Sequence, residues 1–217
     1  MYKLIKFLCL TCVCTFTAFA QNQQTRTTTT TDEYRKNEYY VGYSNQQVDG
    51  GSYNSANGFQ GSYVRNIKRY MGIKADFSAA YDKETIEYTT TDPISNTPYS
   101  IRQKTSSSVY NFLGGVQFKN NASNARFKPF GHALVGLAVL RDKFSVSCTS
   151  ANCPAYVTNF PTFDYTSKNL AFAVGGGLDI RINDKIDFRA IQVDFNPIWR
   201  GGGSWQKNFR IGAGIVF

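Results

Sequence analysis

Residues 208–217 of the sequence read NFRIGAGIVF. Apolar side chains occupy every second position of this stretch, namely Phe209, Ile211, Ala213, Ile215 and Phe217. Arg210, Gly212 and Gly214 separate the first four of them. Successive side chains of a β-strand point to opposite sides, so a period of two is typical of a strand with one apolar face. The stretch therefore predicts a strand with one entirely apolar face.

The same alternation recurs along the chain from residue 38 onward, and no segment there has a helical period. The clearest example places Ile73, Ala75 and Phe77 on one face and Lys74 and Asp76 on the other. In the seventh segment the alternation changes phase between Phe188 and Ile191, which predicts a β-bulge near Ala190. The eight predicted strands cover residues 38–46, 57–66, 73–82, 105–118, 127–141, 168–182, 185–196 and 207–217.

The connections between these strands alternate between short and long. The links after the second, fourth and sixth strands are short or moderate. The links after the first, third, fifth and seventh strands are longer and rich in Ser, Thr, Asn, Gly and Pro, and they cover residues 47–56, 83–104, 142–167 and 197–206. Short turns at one rim and long loops at the other are typical of a bacterial outer-membrane barrel.

The distribution of charge decides which side of the sheet meets solvent. The polar face carries charges of both signs beside very small residues, which suits the inside of a narrow barrel. The predicted interior polar network consists of Lys74, Asp76, His132, Asp179, Arg181, Arg189, Asp194 and Arg210. The opposite face is apolar and ends in aromatic residues, as expected of a surface in contact with lipid. The fold class that follows is all-β: a closed, eight-stranded, antiparallel, up-and-down transmembrane β-barrel.

Residues 38–217 resemble the small OmpA/OmpX-like outer-membrane β-barrels. Two motifs carry the resemblance: the stretch 208–217 quoted above, and residues 172–195, which read FAVGGGLDIRINDKIDFRAIQVDF and look like the penultimate hairpin of such barrels. The resemblance implies location in the outer membrane of a Gram-negative-type bacterium. It also implies that Phe209, Ile211, Ala213, Ile215 and Phe217 form a C-terminal signal read by the barrel-assembly machinery. It does not imply an activity, because one fold hosts many functions.

The first 20 residues have the features of a cleaved export signal. Lys3 and Lys6 precede an apolar stretch, and Ala18-Phe19-Ala20 forms a small-x-small cleavage site. Three cysteines in this stretch raise the alternative of a lipoprotein, although the residues before each of them fit a lipobox poorly. Residues 21–37 include five consecutive threonines and are expected to form a flexible leader before a barrel domain at 38–217.

The whole chain has 24 basic and 15 acidic residues, a net charge of +9. Removal of the export signal takes away two basic residues and no acidic one. For an exported protein this moderate surplus favours lipopolysaccharide phosphates or another polyanionic surface over nucleic acid as a partner. The mean hydropathy of −0.34, with no apolar run of helical span length after the export signal, excludes a helical membrane protein.

Two cysteines and the single histidine are candidate chemical sites. Cys148 and Cys153 remain after removal of the signal, and in an exported chain they predict a disulfide that closes a small loop. His132 is the only histidine, too few ligands for a zinc site, and we expect neither a metal nor a cofactor.

Three functions are compatible with these features. The favoured one is a non-enzymatic barrel that presents its long loops, especially 83–104 and 142–167, for adhesion or ligand contact. The second is passage of small molecules through a narrow barrel. The third is a lipid-modifying enzyme in which His132 acts as the base for Ser107 or Ser108 of the preceding strand.

Overall fold

A computed structural model describes residues 34–48, 55–121 and 125–217. The expected export signal, and the leader up to residue 33, lie outside the described residues. The elements are β1 (Asn37–Val48), β2 (Ser55–Lys68), β3 (Met71–Thr91), β4 (Pro98–Lys119), β5 (Phe127–Cys148), α1 (Ala155–Thr158), β6 (Phe163–Arg181), β7 (Asp187–Phe195), β8 (Ile198–Trp199), β9 (Trp205–Gln206) and β10 (Asn208–Val216).

Eight of the strands form a closed antiparallel ring. Strands β1 to β7 pair in chain order, and β10 pairs with both β7 and β1. The closure extends beyond β10, because Phe217 and Tyr39 exchange backbone hydrogen bonds of 2.7 and 2.9 Å. The short strands β8 and β9 pair with each other and continue β7 and β10 in the same register, with β8 still paired to β6. The up-and-down, eight-stranded topology expected from the alternation is confirmed.

The side chains face the directions that the period of two indicates. On β5, which is apolar on both sides, Val135 is 48% exposed on the outside whereas Leu134 is 3% exposed on the inside. Ala79 has the outward phase yet is buried, because its register neighbours are the aromatic residues Phe59 and Tyr110. An apolar outer surface therefore surrounds the ring, as expected of a face that meets lipid.

The predicted bulge at Ala190 is present. Leu178 pairs with Ile191 and Asp179 with Arg189, so Ala190 has no partner on β6. The register between β7 and β10 shifts at the same place. The extra residue restores the inward direction for Gln192 and Asp194, which places both polar side chains inside the barrel.

Two of the expected loops are largely strand, which corrects the sequence prediction. Strands β3 and β4 remain paired up to Thr91 and Pro98, so the turn spans only 92–97 instead of 83–104. Strands β5 and β6 likewise shorten the 142–167 loop to residues 149–162. The reason is composition: the stretch 85–91 is rich in Thr, Ile and Tyr, which favour strands, and turn residues occur only from Asp92 onward. The chain therefore forms long hairpins rather than loops.

Hydrogen bonds also connect residues before β1 to β2. The hydroxyl of Tyr34 donates to the carbonyl of Ile67 at 3.0 Å, and the amide of Asn66 donates to the carbonyl of Lys36 at 2.8 Å. Residues 34–37, which the sequence predicts to belong to the leader, thus contact the rim of β2. In the described part of the chain, no helix has the length and apolar character needed to cross a membrane.

The interior has two kinds of filling. Near the rim of short turns it is occupied by charged and amide side chains. Toward the long hairpins it contains an apolar cluster formed by Val48, Ala56, Ala80, Val109, Leu113, Leu134, Ala138, Leu140, Ala171, Ala173 and Ile198. Ile198 of β8 pairs with Ala171 in the same register that β7 keeps with β6, so β8 continues the wall and adds a buried, inward side chain to this cluster.

Candidate functional site

The first candidate site is a buried charge network to which all eight strands of the ring contribute. Its members are inward-facing and at most 5% exposed. We define the charge network as Glu38 (β1), Gln60 (β2), Lys74 and Asp76 (β3), Lys119 (β4), His132 (β5), Asp179 (β6), Arg189, Gln192 and Asp194 (β7) and Arg210 (β10).

Arg210 lies at the centre of the network. Its Nη2 and Nε donate to Asp194 Oδ2 at 2.6 and 3.0 Å, and its Nη1 donates to Asp76 Oδ1 at 3.0 Å. Asp76 also accepts a hydrogen bond from Gln60 at 2.7 Å and lies 3.4 Å from Lys74 Nζ. One guanidinium thus connects β10 to β7 on one side and to β3 across the barrel.

Arg189 forms the second centre. It donates through Nε and Nη2 to both oxygens of Asp179 at 2.8 and 3.1 Å, the two-pronged geometry that suits a guanidinium and a carboxylate. Its guanidinium carbon lies 4.3 Å from the ring centre of Tyr40 and 4.0 Å from that of Phe130. Two aromatic faces therefore enclose the cation while Asp179 neutralises it.

The two centres are joined by amide and ammonium groups. Gln192 accepts from Arg189 at 2.8 Å and donates to Asp194 at 2.8 Å. Lys119 contacts Asp179 at 3.1 Å and also pairs with Glu38. The hydrogen bonds consequently run without interruption from β1 to β10, which holds the wall of the barrel together from inside.

His132 is held between a cation and an anion. Lys74 Nζ lies 3.4 Å from Nδ1, and Asp194 Oδ1 lies 2.9 Å from Nε2, the latter at an angle too poor for a hydrogen bond. An ammonium group can only donate, so Nδ1 is the acceptor and the ring hydrogen is on Nε2. This arrangement describes a neutral, fixed imidazole.

The register separates His132 from the serines considered as nucleophiles. His132 pairs with Gln117 of β4, whereas Ser108 pairs with Arg141. The nine residues between Ser108 and Gln117 correspond to about 30 Å along the strand. Ser107 instead donates to Asp142 at 2.6 Å. The base–nucleophile pair of the enzyme hypothesis is therefore not formed.

The interior charges compensate one another. The buried acidic groups of the barrel are Glu38, Asp76, Asp179, Asp187 and Asp194, and the buried basic groups are Lys74, Lys119, Lys128, Arg189 and Arg210. These lists have equal length, so with a neutral His132 the described interior carries no net charge. Buried ions need such pairing, because an unpaired charge removed from water is strongly destabilising.

Glycines allow the wall to approach these side chains. A Cβ atom at Gly175 would collide with Asp194, and one at Gly214 would collide with Gly42 of β1 and with the ring of Tyr40. The glycines of β6 and β10 therefore create room for the network and for neighbouring strands, rather than a lateral opening.

The structure corrects the predicted interior position of Arg181, and it buries four charged residues that the sequence did not single out. Arg181 lies at the end of β6, partly exposed, and pairs with Asp184 of the following turn, because it is the last strand residue before the rim. The missed residues are Glu38, Lys119, Lys128 and Asp187. All four share the inward parity of their strands, but each lies at a strand end, where charges are usually solvated.

The second candidate site is the far end of the long hairpins. We define the tip cluster as Tyr99, Ile101, Val146, Cys148 and Val157, a small apolar core that includes one end of the Cys148–Cys153 disulfide. Its members come from β4, β5 and α1, so the disulfide loop folds back onto the hairpin sheet. The expected disulfide is present in the structure.

Polar contacts join the two connections at the tip. Tyr156 lies 3.2 Å from the hydroxyl of Tyr99 and donates to Asp92 at 3.3 Å. Hydrogen bonds from Ser95 hold the pKa of Asp92 below its usual value, and the contact with Tyr99 raises the pKa of Tyr156. Nearby, Ile94 is 89% exposed and Tyr165 is 64% exposed. The tip is thus a folded unit that presents apolar side chains.

Comparison with known proteins agrees with this architecture. Ail, the attachment invasion locus protein of Yersinia pestis, solved in complex with the heparin analogue sucrose octasulfate, is 14% identical; the alignment covers 83% of this chain and 97% of Ail, with a TM-score of 0.52. Neisserial surface protein A is 13% identical, with coverage of 85% and 97% and a TM-score of 0.42. No curated protein sequence matches the chain. The family profile described as the outer membrane protein beta-barrel domain matches residues 7–217. The chain belongs to this outer-membrane β-barrel family.

Proposed function

We propose that this protein is a non-enzymatic anchor in the outer membrane that presents its hairpin tip to a ligand outside the cell. In bacterial outer-membrane barrels the long connections are extracellular and the short turns are periplasmic. In the proposed orientation, the turns between β2 and β3 and between β6 and β7 lie in the periplasm, and the tip cluster lies outside the cell.

The filled interior carries the proposal. An eight-stranded barrel has room for side chains but for no open channel, and here both halves of that room are occupied. The charge network fills the periplasmic half, and the apolar cluster with Ile198 fills the outer half. This filling argues against passage of small molecules. The environment of His132 likewise argues against lipid hydrolysis.

The tip provides the contact surface. Long hairpins hold it well beyond the apolar band, and the disulfide and the tip cluster give it a fixed shape. The exposed apolar residues near it are Ile94, Tyr156, Phe160, Phe163 and Tyr165. A rigid surface with exposed aromatic groups loses little conformational entropy on binding, which favours recognition of another protein or of a cell surface. The fold of Ail supports this use only by analogy.

A surface-display experiment tests the proposal. The full chain is displayed on a non-adherent bacterium, and attachment to host cells is compared with that of variants in which residues 92–97 are replaced by a two-residue turn or Cys148 and Cys153 are both serine. We expect both variants to attach less while remaining in the outer membrane in equal amounts. Unchanged attachment by both would contradict the proposal. Arg65→Gln, an exposed change at the periplasmic rim, is the control.

Three further expectations from the sequence remain proposals. Residues 1–20 would direct export. The outward residues Phe209, Ile211, Ala213, Ile215 and Phe217 would be read by the barrel-assembly machinery. The surrounding lipid, including lipopolysaccharide, would be the partner of the apolar band.

A further inference from the structure

A group of basic side chains lies on one side of the barrel, where the apolar outer surface ends toward the long hairpins. Lys83 follows the lipid-facing Tyr81 by two residues, Arg141 follows Val139, and Lys168 lies two residues before Leu170. Two residues correspond to about 7 Å along a strand. These cations therefore begin where the apolar surface ends, at the level of lipid headgroups.

The outward phase of four adjacent strands brings these cations together. We define the basic flank as Lys83 (β3), Lys104 (β4), Arg141 and Lys143 (β5) and Lys168 (β6), all of them exposed. The flank extends over β3 to β6, the strands that continue into the long hairpins.

The register gives the flank a defined centre. Ser106 of β4 pairs with Lys83 on one side and with Lys143 on the other. Directly opposite side chains in an antiparallel sheet have Cβ atoms about 5 Å apart. A hydroxyl donor is therefore bordered by two ammonium groups within one row, a spacing that suits the oxygens of a single phosphate group.

The positive charge of the flank is mostly uncompensated. Arg141 donates to Asp164 at 2.6 and 3.1 Å, and the carboxyl of Asp164 has a lowered pKa because of this contact. Among the described residues, Lys83, Lys104 and Lys168 form no ion pair. Lys143 is the register partner of Asp164, so one carboxylate lies beside the flank on β6, whereas Lys83 on the other side of Ser106 has no carboxylate partner among the described residues.

The opposite side of the barrel lacks this feature. The outward residues at the same end of β1 and β2 are neutral amides and a hydroxyl, namely Asn45, Gln47, Ser55 and Asn57. Two exposed cations lie at this end among the described residues of β1, β2, β7 and β10 and their connections: Lys207, before β10, and Arg200, which donates to Gln206 at 2.7 Å. The charge is thus a property of one flank and not of the whole rim.

We propose that the basic flank binds the phosphate groups of a phosphorylated glycolipid in the outer leaflet, with one phosphate at Lys83, Ser106 and Lys143. The acyl chains would lie along the apolar surface of β5, at Val135 and Leu137, which are 48% and 54% exposed. This inference rests on the proposed orientation, with the hairpins outside, but not on a ligand for the tip. The position favours a lipid over a soluble polyanion, because the side chains point sideways from the wall just above the band.

The test uses the full mature chain, refolded into phosphatidylcholine nanodiscs. Bisphosphorylated lipid A is titrated and its binding is measured by native mass spectrometry. The test variant is Lys83→Gln/Lys143→Gln/Lys168→Gln, and the control with the same change in charge is Lys68→Gln/Lys185→Gln/Lys207→Gln, all at exposed positions. We expect the test variant to bind at least about tenfold more weakly and the control to change less than about twofold. Lys83→Arg/Lys143→Arg should retain binding.

Three outcomes would overturn the inference: equal losses in both triple variants, equal binding of dephosphorylated lipid A, or a loss confined to a soluble sulfated polysaccharide. Protease access to the tip in intact cells tests the orientation separately, so its failure and the failure of the lipid site are distinguishable. The heat-modifiable gel shift verifies that both triple variants are folded.

Discussion

Asp194 of β7 and Arg210 of β10 are direct register partners, and Asp194 Oδ2 lies 2.6 Å from Arg210 Nη2. The pair lies inside the barrel and is almost completely buried. Strand β10 is the element that closes the ring by pairing with β1. A buried ion pair inside the barrel therefore holds the closing strand to its neighbour β7.

Removal of one partner should therefore destabilise the barrel strongly. Asp194→Asn leaves Asp76 alone to neutralise both Arg210 and Lys74, so one buried positive charge is uncompensated, which costs about 3–5 kcal/mol. Urea unfolding of the refolded protein in micelles, followed by the gel shift, measures the free energy of unfolding. Asp194→Asn/Arg210→Met should lose less than the sum of the single changes. Strict additivity would indicate that the pair is not coupled.

Arginine substitutions should destabilise the folded barrel on both faces of the wall, but for different physical reasons. Val174 is 59% exposed to lipid, and Val174→Arg should reduce the free energy of unfolding by about 2–4 kcal/mol. Ala173 is fully buried, and Ala173→Arg should prevent folding because no space exists. Thr166→Arg, beyond the apolar band, is the matched control and should be nearly neutral. If Val174→Arg were tolerated as well as Thr166→Arg, lipid would not cover this face.

The disulfide should stabilise the tip and leave the barrel unaffected. Closure of such a small loop contributes about 2 kcal/mol, and the tip cluster lies beyond the ring. In Cys148→Ser/Cys153→Ser, limited proteolysis should cleave between residues 149 and 162 much faster, while the gel shift of the barrel stays the same. Ser147→Ala, next to the bond but exposed, is the control. Loss of the gel shift would show that the tip and the barrel unfold together.

Acid should loosen the turn at the tip. Because hydrogen bonds from Ser95 lower the pKa of Asp92 in the folded state, their stabilisation is complete above the unfolded pKa of about 3.9 and is lost as the pH falls through the lower, folded value. The Ser95 amide resonance, followed by NMR in micelles, should therefore shift only below about pH 4. Asp92→Asn should abolish the transition. A midpoint above the unfolded value would contradict this account.

Alternation alone predicted much of the barrel, because a strand between lipid and a polar interior must change polarity at every residue. Ile73 and Lys74 illustrate this, and the break in phase at Ala190 revealed the bulge. The hairpins were missed because Lys83 to Thr91 are solvated on both faces, so no alternation marks them as a strand. In such a segment, pairing with β4 decides the structure.

The candidate sites were predictable only in part. Inward parity identified Asp76, Asp179 and Arg210, but it did not indicate which charges pair, since pairing depends on the register across strands distant in sequence. The packing of Arg189 between Tyr40 and Phe130 likewise joins three strands. The tip cluster depends on the fold of α1 against β4, for which the sequence has no periodic signal.

The central claim is that side chains seal the barrel from end to end. Single-channel recording of the refolded, full mature protein in planar bilayers tests it most directly. We expect no discrete conductance steps from the intact protein, and steps to emerge in a variant that combines Lys119→Ala with Asp179→Ala and Arg189→Ala, provided that it folds. Reproducible steps from the unmodified protein would contradict the claim.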